Sequence, residues 1–305
     1  MKRLFLILFS CILLTANAQD WNIPKLGDGG WEVEQEFTLN KRRRNILLIS
    51  ELSAYTVALV GLNQLWYADY PSSSFHFIND NEEWLQMDKM GHMSASYYTG
   101  VAGIKAYEWA GFSRQNAIWY GGMTGSIFLT VIEFLDGTSE EWGASPGDLI
   151  ANTTGSLLAI GQALKWNEQR IQLKYSYRPT KWASLNPEQL GNNHMERALK
   201  DYNGQTYWLS LNMKSLLNIQ SIDFPEWLNL SLGYGANCMK QPYPKEGKIV
   251  WRKRQYFLAL DIDLTRIKTK SKVLNSVLHT FGFLKFPMPT IELRNGKLYG
   301  HPIYY

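Results

Sequence analysis

Cysteine is nearly missing from this chain of 305 residues, which has only Cys11 and Cys238. Cys11 falls inside a segment that reads as a removable leader, so Cys238 would stand alone and no internal disulfide could form. An exported protein without that staple must draw its stability from packing or from lipid. Charge of one sign is also missing. Lys and Arg number 31 against 27 Asp and Glu, and losing Lys2 and Arg3 with the leader leaves 29 against 27, a balance that argues against nucleic acid as a partner. The chain has no serine nucleophile elbow, no phosphate-cradling glycine loop and no zinc-binding helix motif, so the hydrolase and nucleotide classes built on them lack support. A plain membrane span at the first long helix is also weakly supported. The first long helical stretch, Asn45 to Tyr67, carries Glu51, Asn63 and Gln64.

The leader has the three parts of a secretory signal: Lys2 and Arg3, the apolar run Leu4 to Leu14, and Ala16-Asn17-Ala18 for cleavage before Gln19. Lipidation at Cys11 is the competing expectation, against which stand the length of the apolar run and the bulky Phe9. Cleavage leaves about 287 residues, enough for one large domain or two small ones. The 12 Trp and 17 Tyr fit either an aromatic core or a membrane interface, where side chains with one wet end are favoured.

Residues 19–40, with Pro24, Gly27, Gly29 and Gly30, read as an exposed lead-in. Residues 41–166 then predict an antiparallel helical bundle: Asn45 to Tyr67, Trp84 to Trp109, Ser113 to Leu135, and Pro146 to about Trp166 capped by Ser145. Gly121-x-x-x-Gly125 on the third helix allows another backbone to approach closely. Residues 167–305 change to a period of two, clearest at Ile171–Tyr177, Tyr207–Met213, Leu228–Tyr234 and Tyr256–Leu264. Asn295-Gly296 predicts a hairpin, and Ser271 to Phe286 a short amphipathic helix. The fold class is therefore α+β. Six such strands resemble outer-membrane segments, but closed single-chain barrels start at about eight, so a sheet laid on the bundle is the expectation. A first helix crossing a membrane after cleavage would hold Lys41–Arg44 on the outer side, against the positive-inside tendency. A bundle in the periplasm or against a membrane surface avoids that conflict.

The residues that stand out chemically are polar ones within apolar helices. Asp88-Lys89-x-x-His92 and Asp148-x-x-x-Asn152 each put their outer members on one helix face, and Glu133-x-x-Asp136 lies on the helix between. Such groups are costly in apolar surroundings unless they meet, so Asp88, His92, Glu133, Asp136, Asp148 and Asn152 predict one shared centre. A carboxylate beside a histidine can make it a general acid or base, and two or three carboxylates with a histidine can also hold a divalent metal. Lys89 would counter the acids. The structural alternative is a buried network that fixes how the helices pair. The sequence names no cofactor and leaves metal binding open.

The segments Trp84–His92, Asp136–Ser139, Trp142–Asp148 and Ala151–Gly155 resemble the YfiM-like family of predicted periplasmic lipoproteins of Gram-negative bacteria. The likeness covers about residues 40–165, and the form with a strand-rich tail is similar to versions in Bacteroidetes. More distantly, Asp88, Lys89, His92, Glu133, Asp148, Asn152 and Gly155 are similar to the pattern of VanZ-like membrane proteins, with Asp136 where that pattern has a Gln. The resemblance implies the periplasm and no particular reaction; with the leader and the strand pattern, the expectation is the periplasm or outer membrane, with a membrane lipid or envelope component as partner. Three readings follow: a non-catalytic envelope protein, an envelope hydrolase or transferase acting on a lipid or glycan phosphate, and a channel-like or assembly component.

Overall fold

A computed structural model describes residues 39–64, 70–243 and 252–304. The expected leader, nearly all of the lead-in, and Trp66 and Tyr67 lie outside the described residues. Helix α1 is Lys41–Leu62, so the basic run forms its first turn instead of preceding it. Asn40 is the cause: its side chain accepts the Arg43 N–H at 3.0 Å and caps the helix ahead of Asn45. Helix α2 is Met87–Trp109, α3 is Arg114–Gly137 with a π turn over Ala117–Gly121, and α4 is Pro146–Trp166. Ser113 caps α3, and Ser145 caps α4 as expected.

Helices α2, α3 and α4 pack against one another along their length. The glycine pair on α3 makes this possible. A Cβ on Gly121 would sit 2.4 Å from the Gly103 carbonyl carbon, and one on Gly125 2.4 Å from the Ser96 carbonyl oxygen. Helix α1 departs from the four-helix expectation, because it lies outside this trio with Ile49 66% and Leu52 68% exposed. Its apolar residues surround the whole helix, so no single face is available to bury. Polar groups tie it down: Tyr55 donates to the Thr124 carbonyl at 3.1 Å and Tyr107 to Glu51 at 3.2 Å. Helices α1 and α3 are each long and apolar enough to cross a membrane.

The carboxy-terminal half is a six-stranded antiparallel meander: β1 Ile171–Tyr177, β2 Gln205–Asn212, β3 Leu228–Asn237, β4 Lys253–Ile262, β5 Met288–Arg294 and β6 Lys297–Tyr304. Strand β4 stops short of Leu264 because Asp263 accepts the Thr265 N–H at 3.0 Å and starts a 3-10 turn. The amphipathic helix is Lys272–Thr280, shorter than expected. Beyond it, Tyr175 N–H donates to Phe283 O at 2.8 Å and Lys285 N–H to Tyr175 O at 2.9 Å, a parallel bridge that covers part of the β1 edge. Asn295 and Gly296 turn the last hairpin with φ of 51° and 71°, the left-handed pair that such a two-residue loop requires.

The alternation in β3 is as expected. Asn229, Ser231 and Gly233 are buried, while Leu228, Leu230, Leu232 and Tyr234 share the opposite face. What alternation alone could not say is which face is enclosed. The enclosed face is the polar one, with Lys174, Ser210, Asn229 and Asp261 fully buried within it. The apolar face divides. Leu173 and Leu209 pack on Tyr97 of α2 and Ile160 of α4, and Tyr207 packs near Met87. Across β3 to β6, Leu232, Leu258, Ile291 and Leu298 remain exposed.

Candidate functional site

The end of the bundle nearest the start of α2 gathers the predicted residues. The first two turns of α2 carry Asp88, Lys89 and His92, the start of α4 carries Asp148 and Asn152, and the last turns of α3 carry Glu133 and Asp136. Before α2, Trp84, Leu85 and Gln86 all have left-handed φ (44°, 52° and 68°), a conformation costing L residues on the order of 1–2 kcal/mol each. The carboxy-terminal half holds this turn. Tyr234 donates to the Leu85 carbonyl, Trp84 N–H to Pro242 O at 3.1 Å, and the Trp84 ring lies 5.2 Å from that of Tyr202. Strain kept at this position fixes where Asp88 and Lys89 begin.

His92 Nδ1 is 3.0 Å from Asn152 Oδ1 and 3.7 Å from Glu133 Oε1, and its Nε2 is 3.9 Å from Asp88 Oδ2. Acceptors on both sides of the ring favour its protonated form. Lys89 pairs with Asp80, and its Nζ lies 3.0 Å from Asp148 and 3.8 Å from Asp88. Ser145 ties three elements together. Its N–H donates to Glu133 Oε2 at 3.0 Å, its hydroxyl donates to Asp80, and it accepts the Asp148 N–H at 3.1 Å. Tyr202 donates to Asp88 at 2.8 Å from the other half of the chain.

Five of the six predicted residues thus meet in one cluster. Asp136, one turn beyond Glu133, acts on it through charge, helping to raise the Glu133 pKa. The sequence reading missed Asp80 and Tyr202 and had Ser145 only as a cap. Asp80 sits in an irregular loop with no helical spacing to betray it. This loop is fastened across the α3–α4 connection by Ile78 N–H to Ala144 O at 3.0 Å and Ala144 N–H to His76 O at 3.1 Å. Tyr202 lies more than a hundred residues from its partner and has no local signal at all.

Burial pushes Glu133 up to about 7, against the pull of the Ser145 amide and His92. Burial and the Asp88 charge push Asp148 up to about 6. Burial works to lower His92, but Asp88, Asp148 and Glu133 outweigh it and raise its pKa. Asp80 moves the other way: burial opposes its charged form, but its bonds from Lys89 and Ser145 prevail and lower its pKa. Glu133 Oε1, Asp148 Oδ1 and Asn152 Nδ2 are buried and have no hydrogen-bond partner among the described residues. Asp88, His92 and Asp148 also offer ligand atoms within 4.8 Å of one another, a spacing a metal could use. The Lys89 ammonium, 3.0 Å from Asp148, already supplies positive charge there and would repel a second cation. The set fits shared protons better than a metal.

A pH dependence follows from these shifts. Glu133 and Asp148 have folded pKa values above their unfolded ones, so the fold binds more protons than the unfolded chain, and the stability they contribute is lost as pH rises through about 6 and 7. His92, also raised, contributes in the same direction. Stability should fall between pH 5 and pH 8, with Glu133 alone accounting for on the order of 2–3 kcal/mol. Melting temperature measured across that range should show a clear decline that Glu133→Gln flattens. An unchanged slope in that variant would remove Glu133 as the titrating group.

Residues 76–162 match the model of a family described as "Predicted periplasmic lipoprotein (DUF2279)". The match is under a third of the chain, yet it takes in every member of the cluster except Tyr202. No curated protein and no solved structure matches the chain.

Proposed function

We propose that this is an exported cell-envelope protein that lies against a lipid bilayer through the outer wall of β3–β6 and the exposed side of α1, and that carries a buried proton-sharing centre at His92. The inverted polarity of the sheet carries this reading. Its charged face is enclosed and its apolar face is open, with Leu298 72% and Ile291 50% exposed. Soluble proteins seldom leave so large an apolar surface uncovered. Lipid is favoured as the cover by the ends of the wall. Tyr256, 50% exposed, and Arg254 share a face at one end, and Trp227, 38% exposed, stands at the start of β3 at the other. Such amphipathic residues favour the boundary between lipid and water. Lys41 to Arg44 open α1, where the helix dipole disfavours positive charge and an anionic surface would offset it. The family description supports the envelope, as do the leader-like pattern of residues 1–18 and the resemblance to YfiM-like and VanZ-like proteins.

The test is flotation with vesicles of phosphatidylethanolamine and phosphatidylglycerol. The protein should float with them, and Leu258→Glu with Ile291→Glu should cut binding at least tenfold while leaving the melting temperature within a few degrees, since both side chains are already exposed. A protein that stays at the bottom of the gradient, or a double variant that floats normally, would overturn the reading.

A second reading, an envelope hydrolase or transferase acting on a lipid or glycan phosphate, is favoured by one observation. Two buried carboxylate oxygens beside His92 accept no hydrogen bond among the described residues, and Glu133 is tuned to about 7, where a general acid or base works well. The Glu133→Gln protein decides this too. If it folds normally but fails to complement a deletion strain, the acid–base role stands; if it complements fully, the centre is structural.

A further inference from the structure

At the end of the sheet where β1, β3 and β5 finish and β4 begins, a cavity of roughly 300 Å³ is lined by Arg178, Lys181, Lys253 and Arg294 together with Thr180, Trp182 and Asn237. Among the described residues no Asp or Glu lines it. The chain as a whole has an excess of only four positive charges, so four cations around one cavity are a local arrangement and not a reflection of composition. Arg178, Lys253 and Arg294 are half-buried. Arg294 has Glu292 at 3.4 Å, but that carboxylate also takes bonds from Gln255 and His301. Among the described residues no carboxylate pairs with Arg178, Lys181 or Lys253. Asp201, behind Thr180, is buried and engaged by Thr180 and Asn203.

Like charges gathered in a partly desolvated cleft repel one another, and the arrangement becomes favourable when an anion enters. The side chains are also held in place. The Arg178 guanidinium stacks 5.3 Å from the Tyr304 ring and that of Arg294 4.5 Å from Tyr299. Asn237 Oδ1 accepts from Trp182 Nε1 and the Cys238 N–H, both at 2.7 Å, which commits its oxygen and leaves its amide NH2 as the group to donate. Two guanidinium forks, two ammonium groups and a neutral donor are the groups that suit a phosphate.

We infer that this cavity binds the phosphate of a phosphate ester. None of its lining residues belongs to the His92 centre, and the hydrophobic cluster of Trp84, Met87 and Trp182 lies between the two. Two sources could present that chemistry: a lipid headgroup, whose chains would meet the neighbouring exposed Leu293 and Leu298, or a soluble phosphate. The inference does not depend on the bilayer reading.

The experiment is calorimetric titration of the intact protein with inorganic phosphate, with dioctanoyl phosphatidic acid below its micelle concentration, and with the zwitterionic dioctanoyl phosphatidylcholine. Phosphatidic acid should bind, and Arg178→Gln with Lys253→Gln should weaken it at least tenfold, about the effect of one charge-assisted hydrogen bond. Binding of phosphatidic acid alone supports the site with a lipid source. Equal binding of inorganic phosphate supports it with a soluble source. No binding of either, phosphatidylcholine binding as tightly as phosphatidic acid, or a folded double variant with wild-type affinity would overturn the proposal. Leu258→Glu with Ile291→Glu should leave phosphate binding unchanged, so failure of the bilayer reading and failure of this one are told apart.

Discussion

Lys89→Met should destabilise the fold by about 3–5 kcal/mol, the usual cost of leaving buried charge uncompensated. The Lys89 side chain is 12% exposed and stands among Asp80, Asp88 and Asp148. Methionine keeps the length of the stem and removes only the ammonium, so the loss reports electrostatics and not a cavity. For a chain of this size such a change lowers the melting temperature by roughly 10 °C. The loss should be smaller at pH 5 than at pH 8. Without Lys89 the carboxylates protonate more readily, and at the lower pH their protons replace the missing charge. A drop of less than about 2 °C at pH 8 would show that Lys89 does not neutralise the cluster, and a drop independent of pH would show that its role is steric.

Asp261→Asn should be as damaging, in the other half of the molecule. Asp261 is fully buried with Lys174 Nζ at 2.8 Å, Lys285 Nζ at 3.6 Å and the Ser210 hydroxyl at 2.6 Å. Both lysine side chains are also without exposure. The substitution leaves two ammonium groups enclosed with carbonyl partners only, Ile262 O at 2.7 Å for Lys174 and Leu260 O and Phe286 O at 2.9 and 2.8 Å for Lys285. The expected cost is again about 3–5 kcal/mol. Replacing all three residues together, Lys174→Met, Asp261→Leu and Lys285→Met, should recover much of that loss, because removing whole buried ion sets is often close to neutral. Denaturant unfolding of the single and triple variants measures both. A triple variant no more stable than Asp261→Asn would mean that the charged interior does more than satisfy itself.

The two halves share an architecture in which charge is enclosed and apolar surface is left outside. In the bundle the enclosed groups are Asp80, Lys89, Glu133 and Asp148, with His92 largely covered and Asp88 29% exposed beside them; in the sheet they are Lys174, Asp261, Lys285 and Glu292. Water cannot serve groups held this deep, so each set must satisfy itself or keep atoms without partners. The sheet nearly achieves the first at Asp261. Among the described residues the bundle keeps Glu133 Oε1, Asp148 Oδ1 and Asn152 Nδ2 unpartnered around His92, which is why the acid–base reading attaches to the bundle and not to the sheet.

Much of this was determined by the sequence alone, wherever the signal is local. Four-residue spacing put Asp88 beside His92 and Asp148 beside Asn152, Ser145 marked the start of α4, and Asn295-Gly296 marked the last hairpin. Period-two alternation located the strands because successive side chains must point to opposite faces. The glycines of α3 foretold a close helix approach. Tertiary structure decided the rest, because it depended on contacts between distant segments. Alternation is symmetric and cannot say which face is enclosed; the ion pairs joining β1, β4 and the segment before β5 decided that. Asp80 and Tyr202 entered the cluster from outside any periodic element, and Asp80 added a partner for Lys89 that the spacing did not show. The left-handed turn at Trp84 to Gln86 has no propensity behind it and is held by Tyr234 and Tyr202, from the far half of the chain. Helix α1 reads as a bundle member by length and hydropathy, yet it lies outside the bundle, because burial requires a complementary surface and its neighbours have spent theirs on one another.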